Sequence, residues 1–323
     1  MPSLKEIKTR IVSVKSTRKI TSAMKMVASS KLHHAQIAIQ NMLPYENMLE
    51  HILKVFLVSV PDAHSVYDTE RDEVKRVALI VYSSNSSLCG GYNGNVIKMM
   101  LQAVEGYKAQ GVNDITIYPI GRKVAEKVEM LGYRCAGDFS NLADKPNAAE
   151  CTAIAQEIAS KFVSREYDRV EMIYHHFKSA GTQLLTRRMF LPIDLSTEKI
   201  GAFNDRELGS SLATQKAQEY LRKKGKQHVQ QKKDAVELND DFIVEPDMET
   251  VLKTLIPKLL NLMVYTALLD SNASEHAARM VAMQTATDNA DELLKSLNLE
   301  FNKSRQAAIT SELLDIVGSS VNN

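Results

Sequence analysis

The stretch most capable of chemistry is a serine- and glycine-rich turn, Ser83-Ser84-Asn85-Ser86-Ser87-Leu88-Cys89-Gly90-Gly91-Tyr92-Asn93-Gly94. Where such a turn joins a strand to a helix, its amides can cradle a phosphate. This one fits neither GxGxxG nor GxxxxGK followed by Ser or Thr, and no lysine sits where a phosphate loop needs one. Glycines easing a tight turn and a close helix–sheet contact are therefore the expected reading. Cys89 has no base beside it in the local sequence, so it is expected to be a small buried apolar residue. The pairs His33-His34 and His175-His176 are adjacent in sequence, and adjacent side chains diverge on a helix or strand. Neither pair should chelate a metal; surface or core packing is expected. No HExxH, GxSxG or cysteine-rich ligand cluster occurs. The expectation is a chain without catalytic residues, metal or cofactor, one that transmits contacts instead of making bonds.

The elements around this turn are of two kinds. At the front, positions 4, 7, 11, 14, 18, 21, 25, 28, 32, 35, 39 and 42 run from Leu4 to Met42 and nine of these twelve are apolar. At the back, the same 3-4 spacing from Leu255 through Leu259 and Leu262 to Ala308 is apolar at twelve of sixteen positions. A sustained 3.5-residue period is the signature of a left-handed coiled coil. Ser3-Leu4-Lys5-Glu6 is a capping box that starts the first helix. It is expected to reach about Val58, with a kink or short break at Pro44. The last helix is expected to start at Glu245-Pro246-Asp247, bend near Pro257 and end at Gly318.

Between them the period changes. Val77–Tyr82 is a continuous apolar run, as in a strand buried on both faces. Further strands are read at Ile115–Ile120, Tyr133–Ala136, Val170–Phe177 and Gln183–Pro192. Helices are read after the turn to about Gly111, at Arg122–Leu131 and at Ala148–Ser164. The alternation predicts an α/β fold with a largely parallel, Rossmann-like sheet. Ser196–Asp241 is polar and partly basic, and reads as an insert with one amphipathic helix around Leu212–Lys224. The expected organisation is a shaft helix over 1–60, a sheet domain over 74–195, the insert over 196–241 and a second shaft helix over 246–318. Both long helices join the sheet domain at their inner ends, so they must run antiparallel. The last is longer by about fourteen residues and should protrude by about 20 Å. Seven alanines between Ala267 and Ala290 keep it slim.

Charge and composition narrow the function. Forty Lys+Arg against 39 Asp+Glu leave a net charge of +1, which argues against a general polyanion or nucleic-acid binder. Met1–Lys31 nevertheless holds eight basic residues and one acid, Glu6, which suits an acidic partner surface. Three cysteines without CxxC spacing imply a reducing compartment. There is no apolar signal core and no uninterrupted apolar stretch of membrane-spanning length, so a cytosolic or already mature protein is expected.

Several segments resemble one family closely. Leu4-Lys5-Glu6-Ile7-Lys8-Thr9-Arg10-Ile11 and Thr17-Arg18-Lys19-Ile20-Thr21-Ser22-Ala23-Met24-Lys25-Met26-Val27-Ala28 resemble the N-terminal shaft helix of the γ subunits of rotary F-type ATP synthases. Ala273–Met283 and Ala286-Thr287-Asp288-Asn289-Ala290 are similar to the second shaft helix of that family, and Asn302–Leu313 to its terminal signature. The resemblance spans nearly everything except Ser196–Asp241. It departs at Asn85-Ser86-Ser87-Leu88, where the family carries a charged residue and a glycine, which puts the family's polar contact there in question. The insert has no cysteine, so the thiol switch of chloroplast relatives is excluded.

What the resemblance implies is a central-stalk subunit, non-catalytic itself, in a proton-transporting complex. The coiled coil would sit in the ring of α and β subunits, and the sheet domain would bind the ε subunit and the c-ring. The protein would lie peripherally at the cytoplasmic face of the inner (plasma) membrane. By motif position, Arg18, Met24 and Lys25 would contact the ring, the last two facing the lever segment of β. Arg305, Gln306, Thr310 and Glu312 would form a polar catch near the upper shaft. The insert lies outside the resemblance; its position and charge suggest either that its basic part touches ε or an acidic β surface and biases the direction of rotation, or that it is a solvated elaboration. Arg18, Thr21 and Lys25 also interrupt the apolar seam, where polar residues serve register or an outside partner. Two other readings compete: a coiled-coil adaptor, and a nucleotide-dependent enzyme built on the sheet.

Overall fold

The computed structural model describes residues 3–59, 66–67, 71, 73–193, 245 and 248–321, with backbone alone at 54–59, 248–249 and 315–321. The insert over 196–241 lies outside the described residues, with its expected helix, as do Pro246 and Asp247.

The elements are α1 (Leu4–Ser59), β1 (Arg76–Tyr82), α2 (Tyr92–Ala109), β2 (Asp114–Ile120), α3 (Arg122–Met130), β3 (Arg134–Cys135), α4 (Ser140–Asp144), α5 (Ala148–Val163), β4 (Arg169–Ser179), β5 (Thr182–Leu191) and α6 (Met248–Val321). The strands form one sheet in the order β3-β2-β1-β4-β5. The first four are mutually parallel and β5 returns antiparallel along β4. A sheet of this kind is covered on both faces, and the side-chain alternation of β1 shows it. Ala78, Ile80 and Tyr82 join a core with α5, α6 and the end of α1, while Val77, Leu79 and Val81 join one with α2 and α3.

The two long helices confirm the seam reading. Of the twelve seam positions on α1, only Arg18 is exposed, and none of the sixteen on α6 is. Ser3 and Glu6 make the reciprocal capping bonds, Glu6 N–H to Ser3 Oγ at 3.3 Å and Ser3 N–H to Glu6 Oε2 at 2.9 Å.

Two expectations need correction. α1 stays helical through Pro44, so the chain does not break there; Pro44 is exposed, and its ring costs one backbone hydrogen bond without displacing packed neighbours. α6 runs past Gly318 to Val321, because glycine permits a helix end but imposes none unless the chain turns left-handed there. Between β3 and α5 the chain adds the short helix α4, whose Leu142 is 1% exposed. One window of α6 is apolar enough by composition to cross a membrane, but 56% of it is buried within the protein, as in a core helix.

Candidate functional site

The paired helices meet a polar layer where the seam reaches Arg18 and Thr21. Thr21 Oγ1 lies 2.8 Å from Thr287 Oγ1, and Arg18 forms an ion pair with Asp291. Thr287 Oγ1 is 2.7 Å from Met283 O, and Thr21 Oγ1 is 3.0 Å from Arg18 O. The shorter intrahelical bond gives the Thr287 proton to Met283 and leaves the Thr21 hydroxyl to bridge the helices. Arg18, expected to face an outside ring, thus has a partner within the chain. The contacts define an antiparallel register, because residue numbers fall on α6 as they rise on α1. Leu32 and Ile39 share a cluster with Leu269, Ala273 and Ala277 on the same register.

Counting back from Thr21 and Thr287 places Leu4 opposite about residue 305. Beyond that point α6 has no partner in α1, and the overhang is roughly 16 residues, about 24 Å. Arg305, Gln306, Thr310 and Glu312 all stand there, all exposed. Thr310 Oγ1 donates to the helix carbonyl of Gln306 at 2.9 Å. The structure brings these four together on one free end and keeps them far from Met24 and Lys25. Both of the latter are half-buried on α1, and Met24 lines a cleft of about 370 Å³ between the shaft and the turn after β1.

The opposite wall of that cleft is the serine-glycine turn. Leu88 and Gly90 take positive φ (68° and 60°), which brings Gly90 close to Ala282 of α6. The turn is rich in polar contacts despite its departure from the family pattern. Arg279 of α6 donates to Ser87 O at 2.6 Å and Ser86 Oγ at 2.8 Å. Asn85 accepts from Arg122 N–H at 2.9 Å and donates to Ser140 O at 2.8 Å. Burial alone would raise the pKa of Glu275, but His276 and Arg279 outweigh it and hold the carboxyl below its ordinary value. Cys89 is 1% exposed with Asn93 Nδ2 at 3.2 Å and Ser84 Oγ at 3.7 Å, neither of which can act as a base. Among the described residues no three His, Cys, Asp or Glu side chains gather as metal ligands would.

A second polar layer fastens the helices to the sheet. Asp270 of α6 accepts from His176 Nδ1 at 2.5 Å and from Phe177 N–H at 2.8 Å. Ser274 Oγ donates to His175 O at 3.1 Å, and Tyr92 OH lies 2.5 Å from Ser271 Oγ. On the other helix, Arg188 of β5 reaches Glu46 at 3.1 Å and Glu50 at 3.2 Å. Burial opposes the Arg188 charge, yet Glu46, Tyr174 and Glu50 keep its pKa raised. The two histidine pairs part company here. His33 and His34 are exposed, whereas His175 and His176 are buried. His175 stacks on Tyr92 at 4.4 Å between centroids, and burial pushes its pKa down to about 4.

Asp270, Glu46, Arg188 and Arg279 escaped the sequence reading. A lone acid inside Leu268-Leu269-Asp270 was the available signal for the first. The others have partners 138 to 193 residues away, which no local pattern reveals.

Comparisons with known proteins agree with this architecture. The family described as ATP synthase matches residues 3–321. The ATP synthase gamma chain of Phocaeicola vulgatus is 49% identical over 99% of this chain and 100% of its own length, and that of Bacteroides fragilis 50% over the same shares. The Flavobacterium johnsoniae protein of that name is 38% identical over 98% of each. Among solved structures, a chain of the Euglena gracilis mitochondrial ATP synthase has the same fold, with TM-score 0.59 at 18% identity over 99% of this chain and 94% of its own. A chain of the Tetrahymena thermophila central stalk and c-ring structure gives 0.53 at 23%, over 83% and 99%. An antiparallel coiled coil fastened to a mostly parallel sheet, with full-length relatives at half identity, places this chain in the ATP synthase gamma chain family.

Proposed function

We propose that this chain is the rotating central shaft of an F-type ATP synthase and is itself non-catalytic. Residues 74–195 would be the foot that meets ε and the c-ring. The helices over 1–60 and 246–318 would enter the ring of α and β subunits, with 196–241 an insert between foot and shaft. The complex would hold the chain peripherally at the cytoplasmic face of the plasma membrane. The solved neighbours come from assemblies described as F1 with a c-ring, and as central stalk with a c-ring.

The observation that carries this reading is the free end of α6. A helix that leaves its partner and presents Arg305, Gln306, Thr310 and Glu312 to solvent is built for an outside surface. Arg18 would stay paired with Asp291 on the shaft itself, beside the Thr21–Thr287 bridge, while Met24 and Lys25 present the side of α1 next to the cleft. As the shaft turns, each catalytic β subunit would meet a different face. Unequal contact energies at the three sites would then shift their nucleotide affinities in sequence.

Rotation is the direct test. The complex is isolated with its α and β subunits, a probe is attached to the sheet body, and ATP is added. Continuous one-way rotation of the probe is expected. ATP hydrolysis by an assembled complex whose probe stays still refutes the proposal, and so does recovery of this chain as a lone homodimer without α and β.

A further inference from the structure

A shaft that carries a twisting load needs more than burial to hold it to its foot. Apolar contact resists separation but has no preferred direction. The packing of Leu259, Leu260, Met263 and Val264 within the sheet core therefore fixes the distance of α6 from the sheet better than its angle. Directional bonds are needed for the angle, and the structure has them at two levels.

Resting on the rotor reading above, we infer that two buried joints form the torsional key between sheet and shaft: Asp270 with His176 and Phe177, and Arg188 with Glu46 and Glu50. They belong to different helices, Asp270 to α6 and Glu46 with Glu50 to α1. Their sheet-side partners are on neighbouring strands, tied by the β4–β5 ladder in which Met172 faces Arg188 and His176 faces Leu184. On the coiled-coil register Glu46 lies opposite about residue 262, so the joints are separated by roughly 12 Å along the shaft. One contact is a pivot. Two contacts, one on each helix and apart along the axis, define an angle.

The energetics favour this role over simple cohesion. Glu46 is 2% exposed and Asp270 3%. Buried ionic groups contribute no more to stability than apolar residues of the same volume, and leucines would serve a merely cohesive contact at both positions. Charge-assisted bonds add what leucine lacks, a narrow range of donor–acceptor direction. Asp270 uses both carboxylate oxygens, one on a side chain and one on the backbone of β4, so neither translation nor rotation of α6 preserves both. These are positioning residues; they act on the catalytic subunits only through the shaft.

The experiment uses the complete ATP synthase carrying Asp270→Asn, Glu46→Gln or both. Asparagine and glutamine keep shape while removing charge. A probe is coupled to Cys135, the exposed cysteine, since Cys89 and Cys151 are buried. The readout is the angular spread of the probe during pauses in ATP-driven rotation. The spread is expected to widen, with about a twofold larger variance in the double variant, while unloaded ATP hydrolysis is unchanged because the upper shaft is untouched. If the double variant fails to assemble, Asp270→Asn alone provides the comparison. A lower yield or melting temperature with an unchanged spread shows a folding role only and overturns the key. A wild-type probe that never turns with ATP refutes the rotor reading instead, and the key with it.

Discussion

The register of the coiled coil should depend on Thr21 and Thr287 more than on the ion pair beside them. Thr21 is 9% exposed, whereas the side chains of Arg18 and Asp291 are 45% and 40% exposed. A pair so open to water is worth at most about 0.5 kcal/mol. The threonine bridge is worth about 1 kcal/mol net. Neither Thr21→Val nor Thr287→Val strands a donor, because the remaining hydroxyl can bond its own helix, at Met283 O or Arg18 O. Each single change should therefore cost about 1 kcal/mol, and the double change little more, giving a coupling energy of about 1 kcal/mol. Urea unfolding of the purified chain, followed by circular dichroism, measures all three against Arg18→Ala. With a denaturant slope near 3 kcal/mol per M, the threonine variants should lower the midpoint by about 0.3 M. Arg18→Ala should shift it by half that or less, and the shift should vanish in about 1 M salt. Additive threonine effects, or a larger cost for Arg18→Ala, would refute the assignment of register to the hydroxyl bridge.

Three further outcomes are expected. Gly121 has φ 114° and an added Cβ would meet Ser83 O at 2.2 Å; Gly121→Ala should lower stability by about 3 kcal/mol or more, read as early thermal unfolding. His175 is neutral in the folded protein with its pKa near 4 against 6.5 for the free side chain. The unfolded chain binds the extra proton first, so stability should fall by about 3 kcal/mol as pH drops from 6.5 to 4. His175→Phe, which keeps the stack on Tyr92, should flatten that slope in melts across the same range. Arg305→Ala with Gln306→Ala should change the melting temperature of the chain by no more than about 1 °C, being exposed, yet slow ATP hydrolysis by the reassembled complex. An equal rate would remove those two residues from the proposed catch.

The sequence by itself determined the elements that repeat. A 3.5-residue period names which face of a helix is buried, and an unbroken apolar run names a strand covered on both sides. Both are local records of burial, so the seams from Leu4 to Met42 and from Leu255 to Ala308, the capping box and the strand order in sequence were legible. Connectivity then required antiparallel shafts. Local signals overreached at Pro44 and Gly318, where a residue able to interrupt a helix met surroundings that did not require it to. Only the tertiary structure decided the pairings. That Arg18 finds Asp291, that Asp270 finds His176 and that Arg188 finds Glu46 depends on segments 94 to 273 residues apart being brought within hydrogen-bond reach. Such partners are chosen by the packing of the whole chain, because a buried charge is tolerable wherever a complement arrives and carries no periodic mark of where that will be.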